Sequence, residues 1–150
     1  MDMHGNFSRE QLRLAYTEAW RKRLDGSLLT SLEAMIADVI ELHPEYHAMM
    51  RDAGAAVGLE PSAAQSAENP FLHLGLHIAV REQVSVDRPP GTRELQGRLT
   101  AQCGSVHSAE HVMMEALAET LWEAQQTGQS PDEARYLERA RHRLATRDRR

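Results

Sequence analysis

The chain holds one cysteine, Cys103, so no internal disulfide framework is available to it. No stretch approaches the roughly eighteen consecutive apolar residues of a membrane-spanning helix, which excludes an intramembrane class. The first residues, MDMHGNF, have neither the basic region nor the apolar run of a secretory signal. Together these absences lead to the expectation of a soluble protein of a reducing cytoplasm. Phosphate-binding loops, dinucleotide fingerprints and serine-nucleophile elbows are missing as well, which removes the common nucleotide-dependent and hydrolase readings. No segment alternates apolar and polar residues as a half-buried strand would.

What remains is enough for one ordinary domain. A length of 150 residues buries a core without a metal or disulfide staple, and a single domain is expected, with its core over about residues 7–130. The formal charge of −5 conceals an asymmetry. Residues 135–150 carry seven arginines against Glu138 and Asp148, a net of +5, so residues 1–134 carry −10. The basic end, residues 131–150, contains one aromatic residue, Tyr136, and no nucleic-acid motif, so it reads as a solvated, partly frayed tail rather than a nucleic-acid surface.

Apolar periodicity gives helices almost throughout. A capping box and staple at Phe7, Ser8, Gln11 and Leu12 open a helix over 8–25 that Gly26 stops, with Leu12, Tyr16, Ala19, Trp20 and Leu24 inward. A second helix from about Ser27 places Leu28, Leu32, Met35, Ile36, Val39, His43, Tyr46, His47 and Met50 in one arc and is expected to kink at Pro44, the alternative being two helices that meet at His43. A weakly patterned loop follows over 53–69. Asn69 and Pro70 restart a helix that is apolar on most sides, and a shorter one over 93–103 ends at Gly104. Ser105 caps a long helix to about Gln126, and Ser130, Pro131, Asp132 and Glu133 open the last. The fold class is all-α, a bundle-like domain of five or six helices.

The chemistry lies in the histidines. Six of the eight fall in three pairs spaced by four residues: His43 and His47, His73 and His77, His107 and His111. Chance supplies roughly 0.4 such pairs in a chain of this length and histidine content, and the spacing puts both rings of a pair on one helix face. Bundle cores hold metals with inward His and Glu, and neutral imidazole suits zinc, iron or nickel. The expected ligands are His73, His77, His107 and His111, with Glu110 or Glu115 as a carboxylate and His47 as a further member. Glu82 or Glu45 would serve behind them. Glu110 sits near the middle of an apolar arc and therefore requires a histidine, an arginine or a metal as partner. Against the metal reading stands a plainer one, in which the histidines are core residues bonded to carbonyls, carboxylates or each other. Arg81, Glu82, Asp87 and Arg88 read as a water-facing cluster of helix-end ion pairs.

Residues 107–111, HSAEH, match the HxxEH signature of inverted zinc proteases, in which the rings bind zinc and the glutamate activates water. Those enzymes take a third ligand far downstream, and only 39 residues follow His111. The match is therefore local.

Four segments taken together resemble a known family: HPEYH at 43–47, NPFLHLGLHIAVREQ at 69–83, DRP at 87–89 and HSAEHVMMEALAETLWEAQ at 107–125. In order and spacing they are similar to the small bacterial proteins grouped as domain of unknown function 1841, over about residues 7–144. The resemblance implies a bacterial, soluble, stand-alone domain and carries over no catalytic residue. A remoter likeness to hemerythrin-like bundles is one of architecture, since the ligand order differs. The expected function is thus a helical domain binding a divalent transition metal through HxxxH pairs; the alternative is a structural or protein-interaction domain without metal. A protein partner or a second copy of the chain is compatible with either, and membrane and nucleic acid are not expected partners.

Overall fold

The computed structural model describes residues 9–51 and 70–148, and every described element is helical. The helices are α1 (Arg9–Asp25), α2 (Ser31–Glu41), α3 (His47–Arg51), α4 (Pro70–Val86), α5 (Thr92–Cys103), α6 (Val106–Thr127) and α7 (Glu133–Asp148), with a 3-10 turn at Pro44–Tyr46 between α2 and α3. The expected all-α class is therefore observed, with seven α-helices among the described residues where five or six were expected. The loop expected over 53–69 and the capping box at Ser8 lie outside the described residues. Two compact units divide the chain, one up to Ile78 and one from Ala79, and α4 contributes to both.

In the first unit, α1 contacts α2 and α3. Tyr16, Ala19, Trp20, Ile36, Ala37, Val39, Ile40, Met50, Phe71, Leu74 and Ile78 form its buried core. Tyr16 stacks on Phe71 with ring centres 6.1 Å apart, and the guanidinium of the buried Arg13 lies over the Phe71 ring at 5.1 Å from its centre. Ion pairs clamp α1 to α2: Lys22 to Glu33 at 2.7 Å, Arg23 to Asp38 at 2.8 Å and Arg23 to Glu41 at 3.1 Å. Two expectations need correction here. Helix α2 begins at Ser31, because Thr30 and Glu33 make the reciprocal capping box that Ser27 has no glutamate to make. Leu28 is consequently outside the helix and 95 % exposed, and Leu24, at the end of α1, is also exposed. The second correction is at Pro44: α2 does not kink there but stops at Glu41, and the chain passes through the 3-10 turn before α3. Proline lacks the N–H that would continue the ladder and disfavours helical backbone in the residue before it, and His43 accordingly leaves the helical region at φ −125°, ψ 72°.

In the second unit α5, α6 and α7 contact one another. Leu95, Leu99, Val112, Met113, Leu117, Tyr136, Leu137, Ala140 and Leu144 are buried. Gly104 in the left-handed conformation closes α5, Ser105 caps α6 by accepting from the Ser108 N–H at 3.1 Å, and Gly128 closes α6. Between α4 and α5, Asp87 adopts φ +54° and its carboxylate accepts from the N–H groups of Gly91 at 3.2 Å and Arg93 at 3.0 Å. Asp87 is thus the organiser of a turn. The frayed tail is also corrected: α7 is docked on α6, where Arg135, Arg139 and Arg143 pair with Glu115, Glu119 and Glu123. The basic end is neutralised by the acidic face beside it. Arg81 is likewise not water-facing but forms a two-pronged ion pair with the buried Glu110, at 2.9 and 3.2 Å.

Two measurements check this account. Arg81→Met leaves the Glu110 carboxylate buried without its cation and is expected to lower stability by about 3 kcal/mol in denaturant unfolding, while Arg81→Met with Glu110→Leu recovers most of the loss; a single variant within 1 kcal/mol of the parent, on the order of a surface pair, refutes the burial argument. The Arg93 N–H, with a lesser contribution from that of Gly91, holds the Asp87 carboxyl below the usual carboxylate range against the opposing cost of burial. A lowered folded-state value contributes stability that is present above the unfolded value and lost as pH falls through the folded one. Asp87→Asn should therefore melt lower than the parent at neutral pH, with the gap closing as the solution is acidified below about pH 4.

Candidate metal centre

The centre begins with the end of α2. A helix terminus leaves its last carbonyls short of partners inside the helix, and at α2 the Val39 and Ile40 carbonyls, which take the Leu42 and His43 N–H groups at 3.2 and 2.9 Å, also accept from imidazoles. His43 Nδ1 donates to the Val39 carbonyl at 2.7 Å, and His47 Nε2 donates to the Ile40 carbonyl at 2.9 Å. A carbonyl only accepts, so these bonds assign the protons: neutral His43 carries hydrogen on Nδ1 and a bare lone pair on Nε2. The two rings of the pair are sorted by this difference. His47 packs against Trp20 with the rings tilted and their centres 4.5 Å apart. His43, 2 % exposed, aims Nε2 at α4, where it lies 2.9 Å from His73 Nε2.

His73 and His77 occupy successive turns of α4, their ring centres 6.1 Å apart. The His43 ring meets His73 at 4.7 Å and His77 at 5.2 Å, both edge-on, and His77 is fully buried. One ring nitrogen from each of His43, His73 and His77 lies within 4.8 Å of the others. Three imidazoles bonded to one tetrahedral ion at about 2.0–2.1 Å have nitrogens roughly 3.3 Å apart, so the pair at 2.9 Å stands at nearly the right spacing with a proton where an ion would sit. The carbonyl end of α2 supplies partial negative charge behind His43, which favours a cation. Tyr46 stacks on the His43 ring with ring centres 5.3 Å apart. Burial first, and then the charge of Glu45, push its phenol above the ordinary value, so it stays protonated at neutral pH.

His107 and His111 are paired on α6 in the second unit, ring centres 4.2 Å apart. Both carboxylate oxygens of Glu110 accept from Arg81, which supplies the partner its burial demanded. Glu115 is exposed and reaches Arg143. Glu45 is exposed in the 3-10 turn, and Glu82 is half-buried with one enclosed oxygen, Oε1, that meets no hydrogen-bond donor among the described residues. His43 was one of the paired histidines but stood outside the expected ligand set. Its signal was the proline immediately after it, which frees the carbonyls that orient its ring.

Comparison with known proteins gives one positive result. The model of the family described as Domain of unknown function (DUF1841) matches residues 8–142. No curated protein and no solved structure matches the chain. A match covering nearly the whole chain, including the HPEYH segment and α4 that build the histidine cluster, shows that this protein belongs to the DUF1841 family.

Proposed function

We propose that the protein binds a divalent transition metal, with His43, His73 and His77 as ligands. The reading is carried by one observation: the lone pair of His43, its other nitrogen anchored to the Val39 carbonyl, points at a second imidazole nitrogen 2.9 Å away, with His77 beside both. Donation of the far ring nitrogen to a carbonyl is the usual support of a metal-bound imidazole, fixing its tautomer and raising its basicity. An all-nitrogen donor set fits zinc, iron or nickel better than calcium or magnesium, which prefer oxygen. His107, His111, Glu110 and His47 remain in this proposal as the members their sequence pattern puts forward. A cytoplasmic bacterial setting belongs to it as well, supported by the single cysteine and by the resemblance of the sequence to small bacterial proteins.

A second reading rests on the same contact. An N–H···N bond between His73 and His43 is complete without an ion, so the cluster also suits a metal-free network that fixes α4 against the end of α2.

Metal analysis by mass spectrometry on untagged protein purified without chelator separates the two. The metal reading expects about one ion per chain, lost in His43→Ala and in His77→Ala, and His47→Ala tests the membership of His47 in the same assay. It also expects zinc to raise the thermal midpoint, by an amount corresponding to about 2.7 kcal/mol at a hundredfold excess over Kd. His107→Ala with His111→Ala tests the second-unit pair in the same assay. Protein that stays metal-free and unshifted when titrated with zinc, iron and nickel sinks the proposal. The metal-free network then predicts only the loss of about 1 kcal/mol on His73→Ala that a buried hydrogen bond is worth.

A further inference from the structure

The second unit contains a cavity that the histidine cluster does not use. It measures about 450 Å3 and opens between the end of α4, the α4–α5 turn, α6 and the start of α7. That volume is within the range of small-molecule sites, roughly 300–1,000 Å3. Its walls are apolar: Pro89 and Leu117 are buried, and Leu121 and Pro131 complete them. Polar groups also line it, Thr120 and Ser130 among them, and two of the others have a defined orientation. The Tyr136 hydroxyl donates to Gln83 Oε1 at 2.6 Å, which assigns the amide and leaves the Gln83 NH2 as its uncommitted end. Arg88 lines the cavity, is exposed, and has no ion pair among the described residues. Of the two acids beside it, Asp132 is engaged in capping α7 through the Arg135 N–H at 3.1 Å, and Glu133 is exposed.

We infer that this cavity binds a small organic acid with an apolar body, its carboxylate held by Arg88 and the Gln83 amide and its body held between the leucines and prolines. A guanidinium and an amide N–H pair are donors only, and a planar carboxylate is the acceptor that matches them. An uncharged ligand of the same shape would leave Arg88 uncompensated.

Calorimetric titration of the full chain with 2-naphthoate and with 2-naphthamide tests this. Naphthoate should bind with a Kd below about 1 mM, and the amide at least about tenfold more weakly, as loss of a charge-assisted pair implies. Arg88→Gln should bring naphthoate to the level of the amide, and Leu121→Trp, which fills the cavity, should remove binding, with unchanged thermal midpoints showing that both variants fold. Absence of naphthoate binding at about 5 mM, a range in which even weak ligands register, overturns the inference. Equal affinity for the two probes in the parent protein does the same and needs no variant.

Discussion

Much of the first unit depends on what happens when a helix is stopped by proline. Pro44 cannot extend α2, so carbonyls that the next turn would have used are left to other donors, and two of those donors are imidazoles. Capping a helix with histidine has a side effect that capping with glycine lacks. The nitrogen that donates fixes the tautomer, and the opposite nitrogen becomes a directed acceptor. Whether that acceptor meets a proton or a metal ion, its direction is set by backbone geometry and not by the histidines themselves. The ring of Tyr46, supplied by the same turn, covers one face of His43 and so limits how it can rotate.

The second unit is governed by charge compensation. The acidic body and basic end that look like separate features in the sequence are two sides of one helix pair, α6 and α7. These pairs are largely exposed and individually contribute little. The Arg81–Glu110 pair is different in kind, since Glu110 is 1 % exposed and its cation is obligatory once the carboxylate is buried.

How much could be read in advance varied with the range of the interaction. The start of α4, the end of α5 and the start of α6 were legible because their signals are local: Pro70, Gly104 and Ser105 each act on their own neighbours. The need of Glu110 for a partner was legible from its place on the apolar arc, but its identity was not, because Arg81 is 29 residues away and no local pattern links them. The start of α2 was misplaced for a choice between two nearby caps that the Thr30–Glu33 reciprocity decides. The histidine pairs were plain in the sequence, while the separation of His43 from His47 was not. Both lie in one apolar arc, and only the backbone after Glu41 determines which nitrogen each presents.

The α6–α7 pairing carries one more implication. Glutamates at 115, 119 and 123 face arginines at 135, 139 and 143, and both series repeat every four residues. A ladder whose two rails share a period holds no information about its own alignment, because sliding α7 by one helical turn re-forms most of the rungs with new partners. The alignment must come from something that does not repeat. Tyr136 is the sole aromatic residue of α7, and its hydroxyl reaches a single acceptor, Gln83, on a helix outside the ladder. The arginines hold α7 down, and the tyrosine tells it where to stop.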